Sequence, residues 1–321
     1  MAQDNSTSKE DRIKALRARL DQMSQEFSRK KGDKLFAADE IRAAIRREKS
    51  PRGKPAESQP IIYHRDLPRT DPHGLLYGAE QGGGISLEEA VPGEEVHTER
   101  GKAFLVSARV DDLDEAALFS RNFEERISPE DSAFCQRVAA TVDPQKLALD
   151  DLIFVDIETT GLSSSPLFLI GTMIWETDGF EVRQFLARNY AEEAAVISLF
   201  LETCLPRKLL VTFNGKSFDF PYIRTRAAAN GIPFDLAPAH FDLLHECRRI
   251  WKDVLPDCKL QTLETHVCKR PRYGDIPGSQ IPDAYHAYVR TENAHQIAEI
   301  LRHNMLDLIT LADLMARFPK P

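Results

Sequence analysis

The sequence predicts an α/β fold: a mixed five-stranded sheet flanked by helices, preceded by a helical tail and a small β-rich subdomain. Two observations carry this expectation. Three apolar, strand-like runs follow one another at residues 152–157, 167–175 and 180–187. Helical and strand-like patterns then alternate at 191–204, 208–213 and 217–230, with a fifth strand expected at Phe241-Asp-Leu-Leu244. Consecutive strands followed by alternating helix and strand suit a mixed sheet with helices on its faces.

The remaining elements follow in chain order. Residues 1–10 are polar and are expected to be disordered. From Asp11, apolar residues stand at Ile13, Leu16, Leu20, Met23 and Phe27, a heptad seam. It is shorter than the roughly three to four heptads that a sustained coiled coil needs, so an amphipathic helix is expected, with at most weak association through residues 11–31. A second helix is expected over 38–48, and residues 50–60 have the Pro, Gly and Ser content of a linker. Residues 1–60 thus read as a tail, 61–149 as a small α+β unit, and 150–318 as the main domain. Within 61–149, Gly82-Gly-Gly84 is either a hairpin loop or a phosphate cradle, and it lacks the Lys-Ser/Thr that would follow in a P-loop. Ala103-Phe-Leu-Val106 reads as a strand, and 114–140 as a helix broken at Ser128-Pro129. After the sheet, helices are expected at 245–253, 259–268 and 293–316, around a Pro- and Gly-rich connector over 270–282. The connector, with Arg270, Arg272 and Tyr273, either touches substrate or is a rigid surface link.

Composition narrows the class. At 321 residues and 42% hydrophobic, the chain can bury a full core. No apolar run approaches the roughly 20 residues of a membrane span, and a cytoplasmic protein is expected. The five cysteines are scattered and odd in number, which argues against a disulfide framework. Net charge is −8, but residues 1–60 hold 15 Lys/Arg against 10 Asp/Glu, so the other 261 residues carry −13. A basic tail attracts phosphate. An acidic body fits a polyanion-binding protein if its acids hold cations that reverse the local field.

Three stretches carry the candidate chemistry. In Ile153-Phe-Val-Asp-Ile-Glu158, alternation along a strand puts Asp156 and Glu158 on the same side. Paired carboxylates beside a buried run are costly unless a cation joins them, although a strand end can also simply leave them in water. In Leu209-Leu-Val-Thr-Phe-Asn-Gly-Lys-Ser-Phe-Asp219, a strand, a turn and a helix start bring Asp219 to a helix N-terminus, where the dipole alone would favour an acid. In Ile300-Leu-Arg-His-Asn-Met-Leu-Asp307, His303 and Asp307 are four apart and share a helix face.

Taken together, these segments resemble the DEDD superfamily of 3′–5′ exonucleases, which has the ribonuclease H-like fold. Asp156 and Glu158 match its first motif, Asn214 and Asp219 its second, and Asp307 the acid of its third. The run from Asn214 to Tyr222 is similar to that of family B DNA polymerase proofreading domains. Tyr273-Gly-Asp-Ile-Pro-Gly-Ser-Gln-Ile-Pro282, followed by His303-Asn304 and Asp307, resembles the bacterial YprB-like branch. One feature departs from the pattern: the superfamily places a Tyr four residues before the last Asp or a His five before it, whereas His303 stands at the Tyr spacing.

The resemblance implies hydrolysis of phosphodiester bonds at single-stranded DNA or RNA 3′ ends by two Mg²⁺ or Mn²⁺ ions. It assigns Asp156, Glu158, Asp219 and Asp307 as metal ligands, and His303 to the attacking water, where an ordinary imidazole pKa of about 6.5 suits a base. Asn214, Lys216 and Phe218 are the expected substrate-binding residues, and Asp242 is a spare carboxylate expected either to be structural or to support the ligands rather than to hold metal itself. A ribonuclease H-like endonuclease and a non-catalytic nucleic-acid-binding module are the alternatives.

Overall fold

The computed structural model describes residues 84–321, apart from 114, 115, 117, 129–131, 163 and 164. The tail helices, the linker, the 11–31 seam and the start of the glycine run lie outside the described residues. These residues fall into two compact units, 84–246 with 272–321, and 247–271.

In the larger unit, β1 (Glu94–Thr98) and β2 (Gly101–Arg109) form a hairpin. The strands β3 (Leu152–Thr159), β4 (Leu167–Glu176) and β5 (Gly179–Leu186) follow, then β6 (Leu209–Thr212) and β7 (Ala239–Asp242). All seven form one sheet in the order β1-β2-β5-β4-β3-β6-β7. The pairs β3–β6 and β6–β7 are parallel and the rest antiparallel, so the sheet is mixed.

Five strands were expected in the sheet, and among the described residues seven are present. The two extra strands come from the segment read as a separate β-rich subdomain, and the boundary drawn at 149/150 therefore falls within the chain course of a single sheet. The physical reason is the edge of β5. Its backbone groups need partners, and β2 supplies them from Phe104↔Leu186 to Arg109↔Glu181. Phe104 and Val106 then enter the common core. The last strand also shifts, from 241–244 to 239–242. Asp242 accepts the Leu244 amide at 3.0 Å, a helix-start bond that turns the chain out of the sheet.

The longer helices of this unit are α1 (Phe119–Ile127), α2 (Ala133–Val138), α3 (Glu193–Cys204), α4 (Asp219–Ala229), α5 (Leu243–Trp251, which runs on past residue 246), α6 (Ile281–Thr291) and α7 (His295–Ala316). The expected 114–140 helix is two helices, with Ser132 capping the second through the Cys135 amide. Helix α6 was not foreseen. Its Ile281, Ala284, Tyr285 and Tyr288 are buried at helical spacing, but they follow directly on a Pro/Gly-rich loop whose composition masks the pattern.

Strand β4 is buried along its length except at Glu176, because both of its faces are covered. Ile153, Val155 and Ile157 of β3 join a core with Ile170, Phe200 and Tyr285. Phe168 stacks on Tyr285 with centroids 3.9 Å apart. On the other face of β3, Phe154 meets Phe123 and Phe180 edge-on at 6.1 and 5.7 Å. Asp156 and Glu158 continue the Phe154 face beneath α7.

In the smaller unit, a one-turn helix at Leu260–Leu263 runs into a π-helical turn at Glu264–Cys268. Lys269 ends it in the left-handed region (φ 58), and Arg270 bonds Glu264 at 3.2 Å.

Candidate active site

Asp156 lies in the middle of β3, opposite Gly171 of β4, which in turn lies opposite Gln184 of β5. Asn304 of α7 comes down over Gly171. A Cβ there would stand 2.0 Å from Asn304 Oδ1, so glycine is what admits the side chain. Asn304 is fully buried. It accepts from Gln184 Nε2 at 2.9 Å and donates to Asp156 Oδ2 at 2.8 Å and to the Asp156 carbonyl at 3.2 Å. Gln184 also donates to the Leu301 carbonyl at 2.7 Å. One registered row of the sheet thus orients the first acid.

Asp219 reaches the same place from a turn. Asn214 takes the left-handed conformation (φ 66), which Asn tolerates better than most residues. Asp242 fixes that turn by accepting the amides of Asn214 at 2.8 Å and Lys216 at 3.0 Å. Asp242 is therefore occupied by backbone, in keeping with a structural role. Tyr222 of α4 donates to the carbonyls of Gly161 and Ser165, tying the helix to the loop after β3.

Asp307 and His303 project from one face of α7, with Nε2 of His303 3.6 Å from Asp307 Oδ2. The connector supplies two further charged groups. Arg272 bonds Asp307 Oδ1 and also Asp275 at 3.3 Å, and Asp275 Oδ2 lies 2.8 Å from Nδ1 of His303.

The electrostatics reflect this crowding. Burial, followed by the charges of Asp307, Glu158 and Asp219, holds the Asp156 carboxyl well above its usual range. Burial pushes Glu158 up to about 8, with His303 opposing and Asp307 and Asp219 adding to the rise. Asp219 is pushed up to about 7 by burial and Asp242, against hydrogen bonds from its own amide and that of Ile157. Burial disfavours the His303 cation, yet the Asp275 bond and the charges of Asp307 and Glu158 outweigh it and raise the ring to about 9. The surrounding carboxylates thus favour the charged ring over the ordinary imidazole balance.

Of the sequence-derived candidates, Asp156, Glu158, Asp219 and His303 are each shifted by charged neighbours within this group, and Asp307 acts on all four. Asn214 and Lys216 are exposed on the turn leading to Asp219. Phe218 packs on Tyr222 with centroids 5.4 Å apart. Gln184 was not singled out, Asp275 and Asn304 were quoted only within motifs, and Arg272 was named only in the connector as either touching substrate or part of a rigid link. The available signals were a glycine and a glutamine inside apolar strands.

The donor set is all-oxygen, crowded and short of positive charge, which is the chemistry a hard divalent cation completes. Among the described residues, no group of three or more His, Cys, Asp or Glu side chains is arranged to hold a metal ion as it stands. Asn304 donates to Asp156, and the Arg272 guanidinium bonds Asp307. The residues fit such ions in type and charge.

Among the described residues, no helix is long and apolar enough to cross a membrane. An "Uncharacterized protein YprB" of Bacillus subtilis (strain 168) is 32% identical over 176 residues, 53% of this chain and 42% of that protein's length. The chain therefore spans less than half of this relative. A family B DNA polymerase from the hyperthermophilic archaeon Pyrobaculum calidifontis superposes with a TM-score of 0.42 at 18% identity, over 51% of this chain and 24% of the polymerase. Residues 153–318 match the family model of the RNase_H superfamily, a span that runs from β3 through α7 and includes every acid described above. With half its length in that match, the chain belongs to the RNase_H superfamily.

Proposed function

We propose that this protein is a metal-dependent 3′–5′ exonuclease acting on single-stranded nucleic acid ends. One observation carries the reading. Acids from three separated segments, Asp156 and Glu158, Asp219, and Asp307, meet with their charges uncompensated enough to raise three of them. A fold tolerates that arrangement where a cation is to be bound. Two Mg²⁺ or Mn²⁺ ions would supply charge neutralisation and an activated water for in-line displacement. In this reading Asp156, Glu158, Asp219 and Asp307 hold the ions, and Asn304 keeps Asp156 aimed at them. His303 orients the water from beside Asp307. The exposed turn of Asn214 and Lys216, with Phe218 behind it, receives the terminal nucleotide, since a base can stack on an aromatic face.

The test is digestion of matched 5′-labelled DNA and RNA single strands with Mg²⁺ or Mn²⁺. A ladder shortening by one nucleotide at a time is expected. A single internal band would make the protein an endonuclease, and a bandshift without cleavage would make it a binding module.

A further inference from the structure

Connector residues between helices ordinarily face water, yet Arg272 and Asp275 have side chains only 7% and 8% exposed. Burying a carboxylate is costly unless donors or cations compensate it. Asp275 Oδ2 has two such partners, His303 Nδ1 at 2.8 Å and Arg272 at 3.3 Å. Its other oxygen, Oδ1, is buried without a partner. The carboxylate is therefore aimed by one oxygen at one ring nitrogen. A bond at Nδ1 fixes the imidazole plane and decides where the opposite nitrogen points. Here that nitrogen, Nε2, faces Asp307 at 3.6 Å.

We propose that Asp275 is the positioning residue for His303, holding the ring by Nδ1 so that Nε2 is presented to the acids of the site. The competing role for Asp275 is that of a counter-ion to Arg272 which merely anchors the connector. The inference rests on the nuclease reading of the same site.

The free Oδ1 provides a clean discriminating pair of variants. Asp275→Asn can place its NH₂ where Oδ1 stands and keep an oxygen on Nδ1, while losing the charge that Arg272 would need. Asp275→Glu keeps that charge but moves the oxygen by one methylene. In the full-length chain with Mg²⁺ and a labelled single strand, we expect Asp275→Asn to stay within about fivefold of wild-type kcat. Asp275→Glu should lose roughly 10–100-fold in kcat with KM little changed, and should cost nothing more in a His303→Ala background. The reverse ranking, or an equal loss on top of His303→Ala, overturns the proposal. A second reading needs no activity. In the metal-free protein with labelled histidine, a slowly exchanging downfield Nδ1 proton is expected. It should survive Asp275→Asn and disappear in Asp275→Leu, which keeps the branched shape without polar atoms, and in His303→Ala; persistence in Asp275→Leu overturns the proposal. If the wild-type chain cleaves nothing, the nuclease reading falls, and this proton signal alone decides whether Asp275 holds the ring.

Discussion

Two sets of carboxylates are sheltered in the larger unit, and the fold treats them in opposite ways. Glu193, at the start of α3, is 3% exposed. Arg226 donates to both of its oxygens at 2.7 and 2.6 Å, the Leu167 amide to one at 2.7 Å and Asn230 to the other at 2.9 Å. Each oxygen has two donors, and the pair ties α3, β4 and α4 together. Asp156, Glu158 and Asp219 lie instead among further acids, Asp307 beside all three and Asp242 beside Asp219, with His303 opposing at Glu158. This chain can therefore satisfy a buried acid completely when the role is structural. Where it does not, the missing positive charge is what the proposed cations would supply.

The comparison can be broken at either end. The largest effect is expected on activity: Asp156→Ala should cost at least roughly 10³-fold in cleavage rate, about the 4 kcal/mol that a metal clamp contributes to the transition state. The metal-free melting temperature should hold or rise, because a repelled charge is gone. Activity at a tenth of wild type would remove Asp156 from the metal site.

His303 comes next. His303→Ala should lose roughly 10²-fold in rate with metal affinity little changed. His303→Tyr should lose less, since a phenol at that helix position can still hydrogen-bond water. Equal, complete loss in both variants would show that position 303 is not equivalent to the superfamily's Tyr site.

At the structural end, Glu193→Ala removes the carboxylate to which Arg226, Asn230 and the Leu167 amide all donate. It should destabilise the fold by about 3–5 kcal/mol in urea melts, while the rate per folded molecule is unchanged. A loss under 1 kcal/mol would mean that Glu193 is not the satisfied acid its geometry implies.

Gly171→Ala lies between the two ends. Its methyl displaces Asn304 from Asp156, so a stability loss of about 1–3 kcal/mol should come with reduced activity. Normal activity in a stable Gly171→Ala protein would show that Asn304 does not aim the acid.

The smallest effect is on pH dependence. Glu158 and Asp219 are raised from 4.5 and 3.8 to about 8 and about 7, and Asp156 is raised as well. The folded protein then binds more protons than the unfolded chain, so their contribution is complete below about pH 4 and is lost as pH rises through 7 to 8. His303, raised to about 9, has the same sign: its contribution is present below 6.5 and lost toward 9. The metal-free melting temperature should fall by roughly 5 °C or more between pH 5 and 9. Added Mg²⁺ should flatten the fall by stabilising the ionised carboxylates. A flat metal-free curve would contradict the crowding of these acids.

Much of the site was legible in local sequence because it follows from period. Alternation along β3 put Asp156 and Glu158 on one side, helical spacing put His303 with Asp307, and the order of apolar runs implied a mixed sheet. Alternation and helical spacing define faces, but they do not name what lies against a face. The Asn304–Asp156 bond spans 148 residues, Gln184–Asn304 spans 120 and His303–Asp275 spans 28. No local pattern encodes such pairs. The same holds for β2, of which 103–106 was readable as a strand but whose attachment to the β5 edge depends on backbone groups left unpaired there. Gly171 and Gln184 were visible as oddities in apolar strands, and their meaning came only from the helix that packs over them. The chain's own chemistry determined that acids would gather on a sheet. The tertiary structure decided which of them are compensated, because compensation depends on side chains brought together from distant parts of the sequence.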